Sequence, residues 1–180
     1  MKRKIYISIN IPESDKKRLT KAVSNWLDLP VKWVKESNLH LTLVYLGHVG
    51  DDAIVEICQQ VKKAASGKEL FDLHFSDIEL NSETDSKLVW LSGEPSQDLL
   101  RLREDVEKEL DIFVSEKKSF SPHITLGRIR KQKWEELSPK PEIKKELNFA
   151  LTVESVDVMA SDFENEGQEY SIIESCQLDG

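Results

Sequence analysis

The sequence predicts an α+β fold of two lobes in close contact, with mainly antiparallel pairing and a pseudo-two-fold relation between its halves. Three observations predict it. Strand-like and helix-like segments alternate, yet several strand-like segments follow one another directly, which disfavours a doubly wound parallel sheet. No stretch within the 180 residues has the length or composition of a flexible linker, so residues 1–180 are expected to form one bilobal domain. One four-residue pattern, His-aliphatic-Thr-Leu, occurs twice, 83 residues apart.

The elements follow from periodicity. Residues 4–9 alternate Ile5, Ile7 and Ile9 with Tyr6 and Ser8 and read as a strand. Residues 14–27 place Leu19, Ala22, Val23, Trp26 and Leu27 at helical spacing. Residues 31–34 and 39–46 read as strands. Residues 51–65 form a second helix, with Ile54, Ile57, Cys58, Val61, Ala64 and Ala65 on one face and Gly67 as a stop signal. Residues 70–80 read as a strand, 81–86 as a polar turn and 87–91 as a strand. Ser96 is placed to cap a helix running to about Leu110, with Asp98 favourable in its first turn. Residues 122–126 read as a strand and 131–137 as a short helix, and Pro139 and Pro141 mark a loop. Strands at 149–159 and 170–178, joined by a polar loop at 161–168, end the chain.

Composition narrows the function classes. Charged residues make up 32% and hydrophobic residues 39%, the net charge is −8, and the mean hydropathy is −0.44. An acidic balance disfavours broad non-specific nucleic-acid binding but leaves room for a local basic pocket. No apolar run approaches the roughly 20 residues of a membrane span. The alternating start reads as a strand and not as a signal peptide, so a cytoplasmic protein with no membrane contact is expected; a monomer is expected as well. Cys58 and Cys176 have no metal-site or disulfide-framework spacing and are expected as free thiols.

The chemistry lies in the repeated pattern. His40-Leu41-Thr42-Leu43 and His123-Ile124-Thr125-Leu126 account for two of the four histidines. Chance would produce such a pair on the order of once in 10,000 sequences of this composition, so the match is specific as a pair. In a strand, residues i and i+2 share a face, so His40 projects with Thr42 and His123 with Thr125, while the aliphatic residues face a core. If the halves pack symmetrically, two imidazoles and two hydroxyls meet across a cleft. That set suits acid–base chemistry on a phosphoester. One neutral imidazole takes a proton from water, one imidazolium protonates the leaving oxygen, and the threonines donate to non-bridging oxygens. Near-identical motifs leave open which histidine does which. A zinc site on His40, His123 and a carboxylate is the rival reading, but no HExxH, HxH or Cys/His cluster supports it, so neither metal nor cofactor is expected. Arg128, five residues after His123, falls on the wrong face under strict alternation unless Gly127 hosts a bulge that re-aims it towards a phosphate. Arg130 is the weaker cationic candidate. Tyr45 aligns with Arg128 and is placed either to stack on a base or in the core. His48 and His74 carry no pattern and are read as structural.

These motifs, with Val31-Lys32-Trp33-Val34 leading into Asn38 and His40, and with Phe120-Ser121-Pro122 leading into His123 and Arg128, resemble the 2H phosphoesterase superfamily. Within it they resemble the RNA 2′,3′-cyclic phosphodiesterase, or 2′-5′ RNA ligase, family. The similarity spans nearly the whole chain, including Leu88-Val89-Trp90-Leu91 and Glu94-Pro95-Ser96. The resemblance implies a bilobal fold with the two motifs on facing strands of a central cleft. It also implies metal-independent opening of RNA 2′,3′-cyclic phosphate ends, or of cyclic nucleotides, to 2′-phosphates. On these positions His40 would be the proton donor to the 3′ oxygen and His123 the proton acceptor. Thr42, Thr125, Arg128 and Tyr45 would bind substrate. The polar, acidic stretch 79–87 and the acidic loop 162–169 depart from the family pattern. Cleavage or ligation of 2′-5′ linkages, and non-catalytic sensing of an RNA end or cyclic nucleotide, remain alternatives with the same residues.

Overall fold

Strand β1 (Lys2–Asn10) sets the pattern of the molecule: Ile5, Ile7 and Ile9 are buried on one face, while Tyr6, Ser8 and Asn10 point to the other. The computed structural model describes residues 2–81, 87–111, 120, 122–164 and 167–180, the side chains of 163, 164, 167 and 168 excepted. After β1 come α1 (Glu13–Ala22), β2 (Val31–Trp33), β3 (His40–Gly50), α2 (Asp51–Ala65), β4 (Phe71–Asn81) and β5 (Leu88–Gly93). Then follow α3 (Gln97–Glu109), β6 (His123–Ile129), α4 (Lys131–Glu135), β7 (Lys144–Val153), β8 (Ser155–Glu164) and β9 (Gly167–Gln177).

The strands form two sheets, ordered β3-β1-β8-β9 and β2-β6-β5-β4-β7. All neighbouring strands pair antiparallel. Setting β2 aside, the second sheet repeats the first: β6 takes the place of β3, β5 of β1, β4 of β8 and β7 of β9. The pseudo-two-fold relation expected from the motifs is therefore present in the strand order, and β3 runs beside β6 where the sheets meet. The helices lie outside. In α1, the Arg18 Nη2 donates to the Asn148 carbonyl at 2.8 Å and the guanidinium lies over Phe149, fixing that helix to β7. Helix α2 packs against α3, β8 and β9. One core unites the lobes, with Ile5, Leu41, Val89, Leu91, Ile124 and Val158 fully buried. Each such side chain contributes about 1.5–3 kcal/mol. The α3 cap is as expected, with Ser96 Oγ accepting from the Leu99 N–H at 3.2 Å.

Three elements differ from the sequence reading. The helix expected over 14–27 stops at Ala22; a 3₁₀ turn (Ser24–Trp26) follows, and Leu27 is exposed. Ser24 and Asn25 favour turns over helix interiors, and Trp26 packs at the core edge without a continuous helix. The strand expected over 149–159 is two strands: β7 ends at Val153 in one sheet and β8 begins at Ser155 in the other. The buried positions change parity there, from Phe149, Leu151 and Val153 to Val156, Val158 and Ala160. The loop expected over 161–168 is largely a hairpin, with Asp162 opposite Glu169 and Glu164 opposite Gly167. Of the turn expected over 81–86, Asn81 ends β4 and 82–86 lie outside the described residues.

Candidate active site

The two histidine motifs open β3 and β6 in matching frames. His40 lies opposite Asn10 of β1, and His123 opposite Ser92 of β5. Leu41, Leu43, Ile124 and Leu126 are buried, so a one-residue slip of either strand would bury its imidazole and hydroxyl and expose its leucines. Two glycines admit close neighbours beside these strands. A Cβ on Gly93 would lie 2.8 Å from the Pro122 ring, which enters β6 just before His123. A Cβ on Gly127 would lie 2.6 Å from Val31 and 2.9 Å from Trp33 of the adjoining strand.

The frames share an irregularity. In β3 the pairing passes from Ser8–Thr42 to Ile7–Val44, leaving Leu43 unmatched. In β6 it passes from Trp90–Thr125 to Val89–Gly127, leaving Leu126 unmatched. Both bulges fall on the fourth residue of the motif. The extra residue reverses the alternation, so Tyr45 and Arg128 return to the face that carries the histidines and threonines. Arg128 is thus re-aimed as the sequence required, although the unmatched residue is Leu126 and Gly127 supplies the close approach to β2. Arg130 falls outside β6, at the entry to α4.

The surroundings of the two histidines differ. The His40 Nδ1 lies 2.7 Å from the Asn38 carbonyl, an acceptor only, so Nδ1 carries a proton and donates it there. The Nε2 lies 3.0 Å from Thr42 Oγ1. In the neutral ring Nε2 accepts from that hydroxyl, and in the imidazolium it donates to it. Burial pushes the His40 pKa below the ordinary histidine value; the Asn38 carbonyl opposes the shift and the Lys16 charge adds to it. Lys16 is 6% exposed, with Glu13 3.6 Å from its ammonium.

Tyrosines surround this ring. Tyr170 lies 4.7 Å from His40 between ring centroids, Tyr6 lies 5.4 Å from Tyr170, and Tyr45 lies 5.0 Å from Tyr6. The Tyr170 pKa is pushed up to about 12 by burial and by the Tyr6 hydroxyl, against the opposing charge of Arg128. Tyr170 is therefore a neutral hydroxyl at physiological pH, and Arg128 of the second sheet acts electrostatically on the ring group of the first. Asn38 ties these parts together: its carbonyl holds His40, and its Oδ1 accepts from the Tyr170 N–H at 3.3 Å. Lys35 and Glu169 pair alongside at 3.9 Å. His123 instead packs against Trp90, with ring centroids 4.5 Å apart and tilted by 44°.

The six site residues expected from the sequence thus lie on the histidine-bearing faces of β3 and β6. Tyr45 is 56% exposed, so of its two readings the core one fails. The sequence reading assigned no role to Tyr6, Lys16, Asn38 or Trp90. Tyr6 had a usable signal, a large aromatic on the polar side of an alternating strand. The Asn38 side chain had none, because its partner, the Tyr170 N–H, lies on β9. His48 and His74 are exposed on their strands and lie outside this group. Among the described residues no three His, Cys, Asp or Glu side chains are grouped as a metal ion needs. No helix among them is long and apolar enough to cross a membrane.

A model of the 2′-5′ RNA ligase superfamily matches residues 12–163. A Thermotoga maritima protein named RNA 2′,3′-cyclic phosphodiesterase is 27% identical over 184 residues, covering 97% of this chain and 95% of its own. Two solved structures have the same fold. Thermus thermophilus TT0787 superposes with a TM-score of 0.81 at 20% identity, over 97% of each chain. Escherichia coli LigT, solved in complex with 3′-AMP, gives 0.78 at 21% identity, over 100% of each chain.

Proposed function

The chain belongs to the 2′-5′ RNA ligase superfamily, and from that premise we propose that it is an RNA 2′,3′-cyclic phosphodiesterase of the two-histidine type. Hydrolysis would open the cyclic ester at the end of an RNA and leave a 2′-phosphate. The observation that carries this reading is the doubled frame: His-x-Thr on equivalent strands, with equivalent bulges that bring Tyr45 and Arg128 to the same faces.

In this mechanism His123 takes a proton from water as the water oxygen attacks phosphorus. The P–O3′ bond breaks, and His40 gives its Nε2 proton to the departing 3′ oxygen. The direction follows the family assignment. Two features of His40 suit the donor role. With Nδ1–H held on the Asn38 carbonyl, the proton that can leave is the one on Nε2, beside Thr42. Burial makes the imidazolium a stronger acid than usual, and an incoming phosphodiester anion favours the charged ring, coupling protonation to substrate binding. Thr42 and Thr125 donate to the non-bridging oxygens as charge accumulates on them, and Arg128 adds a fixed positive charge. The two imidazoles supply both proton transfers, so the reaction as drawn needs no metal.

The test is incubation of an oligoribonucleotide ending in a 2′,3′-cyclic phosphate, in EDTA, with wild type and with a His40→Ala/His123→Ala variant. A 2′-phosphate end, identified by mass and by resistance to a 3′-specific phosphatase, should form with wild type alone. Equal turnover by the double variant would overturn the mechanism. A 2′-5′-linked dinucleotide in parallel separates the alternative linkage, whose cleavage uses the same proton transfers.

A further inference from the structure

Beyond the residues already placed in the site, the face that carries Arg128 holds a second cation. Lys32 of β2 lies directly opposite Arg128 of β6. Opposed residues on antiparallel strands share a face, with Cβ atoms about 4.5–5.5 Å apart. Their neighbours fix which face. Val31 and Ile129 are buried together, and Trp33 packs against the core beside Gly127. Lys32 and Arg128 therefore project from the opposite side, which the bulge at Leu126 makes the side of Thr125 and His123.

Like charges set opposite each other across a ladder destabilise it. Neither cation has a carboxylate partner among the described residues, whereas Lys35 pairs with Glu169 and Lys87 with Glu135. In a chain of net charge −8, two adjacent cations on the site face that no described carboxylate pairs are an anion position in waiting. Lys32 is also displaced from the chemistry. At about 3.3 Å per residue, Arg128 stands roughly 13–16 Å along the strand from His123. The long guanidinium can lean back towards the reacting phosphate, but Lys32, one strand further over, lies beyond it.

We propose that Lys32, with Arg128 as its neighbour, forms a second phosphate subsite. It takes the internucleotide phosphate on the 5′ side of the terminal nucleotide, so the preferred substrate is an oligoribonucleotide end and not a free cyclic mononucleotide. This rests on the phosphodiesterase reading and adds a substrate length to it.

The test compares wild type, Lys32→Gln and Lys32→Arg on adenosine 2′,3′-cyclic phosphate and on a short oligoribonucleotide with the same terminal nucleotide. Lys32→Gln should lower kcat/KM on the oligonucleotide about three- to tenfold, mainly through KM, with Lys32→Arg restoring it and the mononucleotide unaffected. The salt dependence of oligonucleotide kcat/KM should flatten by about 0.7 in log–log slope, as for one lost phosphate contact on a single strand. Equal losses on both substrates would place Lys32 at the reacting phosphate, and no loss on either would remove it from the site; each overturns the subsite. If wild type hydrolyses neither substrate, the phosphodiesterase reading fails separately. Binding of a 2′-phosphorylated oligonucleotide against 2′-AMP then decides the subsite by the same criterion, an oligonucleotide-specific loss in Lys32→Gln.

Discussion

The β3 half and the β6 half of the site have one backbone plan and two side-chain plans. In each, histidine opens a strand, threonine follows two residues later, a bulge falls on the leucine after it, and the next exposed side chain returns to the same face. What returns differs: Tyr45 in one half, Arg128 in the other. The neighbours differ likewise. His40 is half-buried beside Tyr6 and Tyr170 and bonded to the Asn38 carbonyl, whereas His123 packs against Trp90. The two halves share one backbone geometry and differ in what it presents, flat aromatic surface on one side and positive charge on the other. A nucleotide has the same two aspects, a base and a phosphate.

The most severe way to break the comparison is to remove either histidine. His40→Ala and His123→Ala should each lower kcat by about 10²–10⁴-fold, and the double variant should fall far short of the product of the two losses. If one single variant kept near-wild-type kcat, the two halves would not act as a unit, and the matching frames would be a relic of duplication.

Replacing the divergent residues sharpens the comparison. Tyr45→Ala should raise KM by a factor in keeping with about 1–3 kcal/mol of base stacking, and the effect should vanish on a ribose 2′,3′-cyclic phosphate that carries no base. Arg128→Gln should lower kcat/KM about tenfold or more with either substrate, since it acts on phosphate. Identical responses of the two variants to loss of the base would show that the sides have not diverged in function.

Much of this was legible in the sequence because it is local. The motif pair, its alternation and the parity problem at Arg128 can all be read from residues 40–46 and 123–128, and the resolving bulge is a local device. The division of 149–159 was legible too, in the change of buried parity around Glu154, but only to a reading that follows parity and not hydrophobicity alone. The rest depends on contacts distant in sequence. Asn38 matters because β9 brings the Tyr170 N–H to it. The tyrosine group gathers side chains from β1, β3 and β9, which no window along the chain contains. Asn38→Ala tests that long-range part. Loss of one hydrogen bond of about 1 kcal/mol should lower kcat a few-fold, with a changed His40 ring environment in histidine NMR spectra. An unchanged kcat with unchanged spectra would mean that the Asn38 carbonyl alone orients the ring.

The smallest expected effect is a shift in pH, and it bears on the asymmetry most directly. His40 is depressed by burial, and Lys16 lowers it further. Lys16→Met keeps the aliphatic length and removes the charge, so His40 should titrate at higher pH. The limb of the pH–rate profile that reports His40 should then move up in pH, while the limb that reports His123 stays where it is. Stability should follow the same sign. The folded His40 has a pKa below its unfolded value of about 6.5, so the unfolded chain binds more protons between the two. The stability that this group contributes is present above about pH 6.5 and is lost as pH falls through the folded pKa. Raising the folded value narrows that window, so the variant should lose less stability than wild type between pH 7.5 and pH 5, measured by urea unfolding beside an NMR titration of the four histidines. A His40 midpoint unmoved by Lys16→Met would leave burial as the sole lowering cause, and the asymmetry between the two histidines would then rest on packing and not on charge.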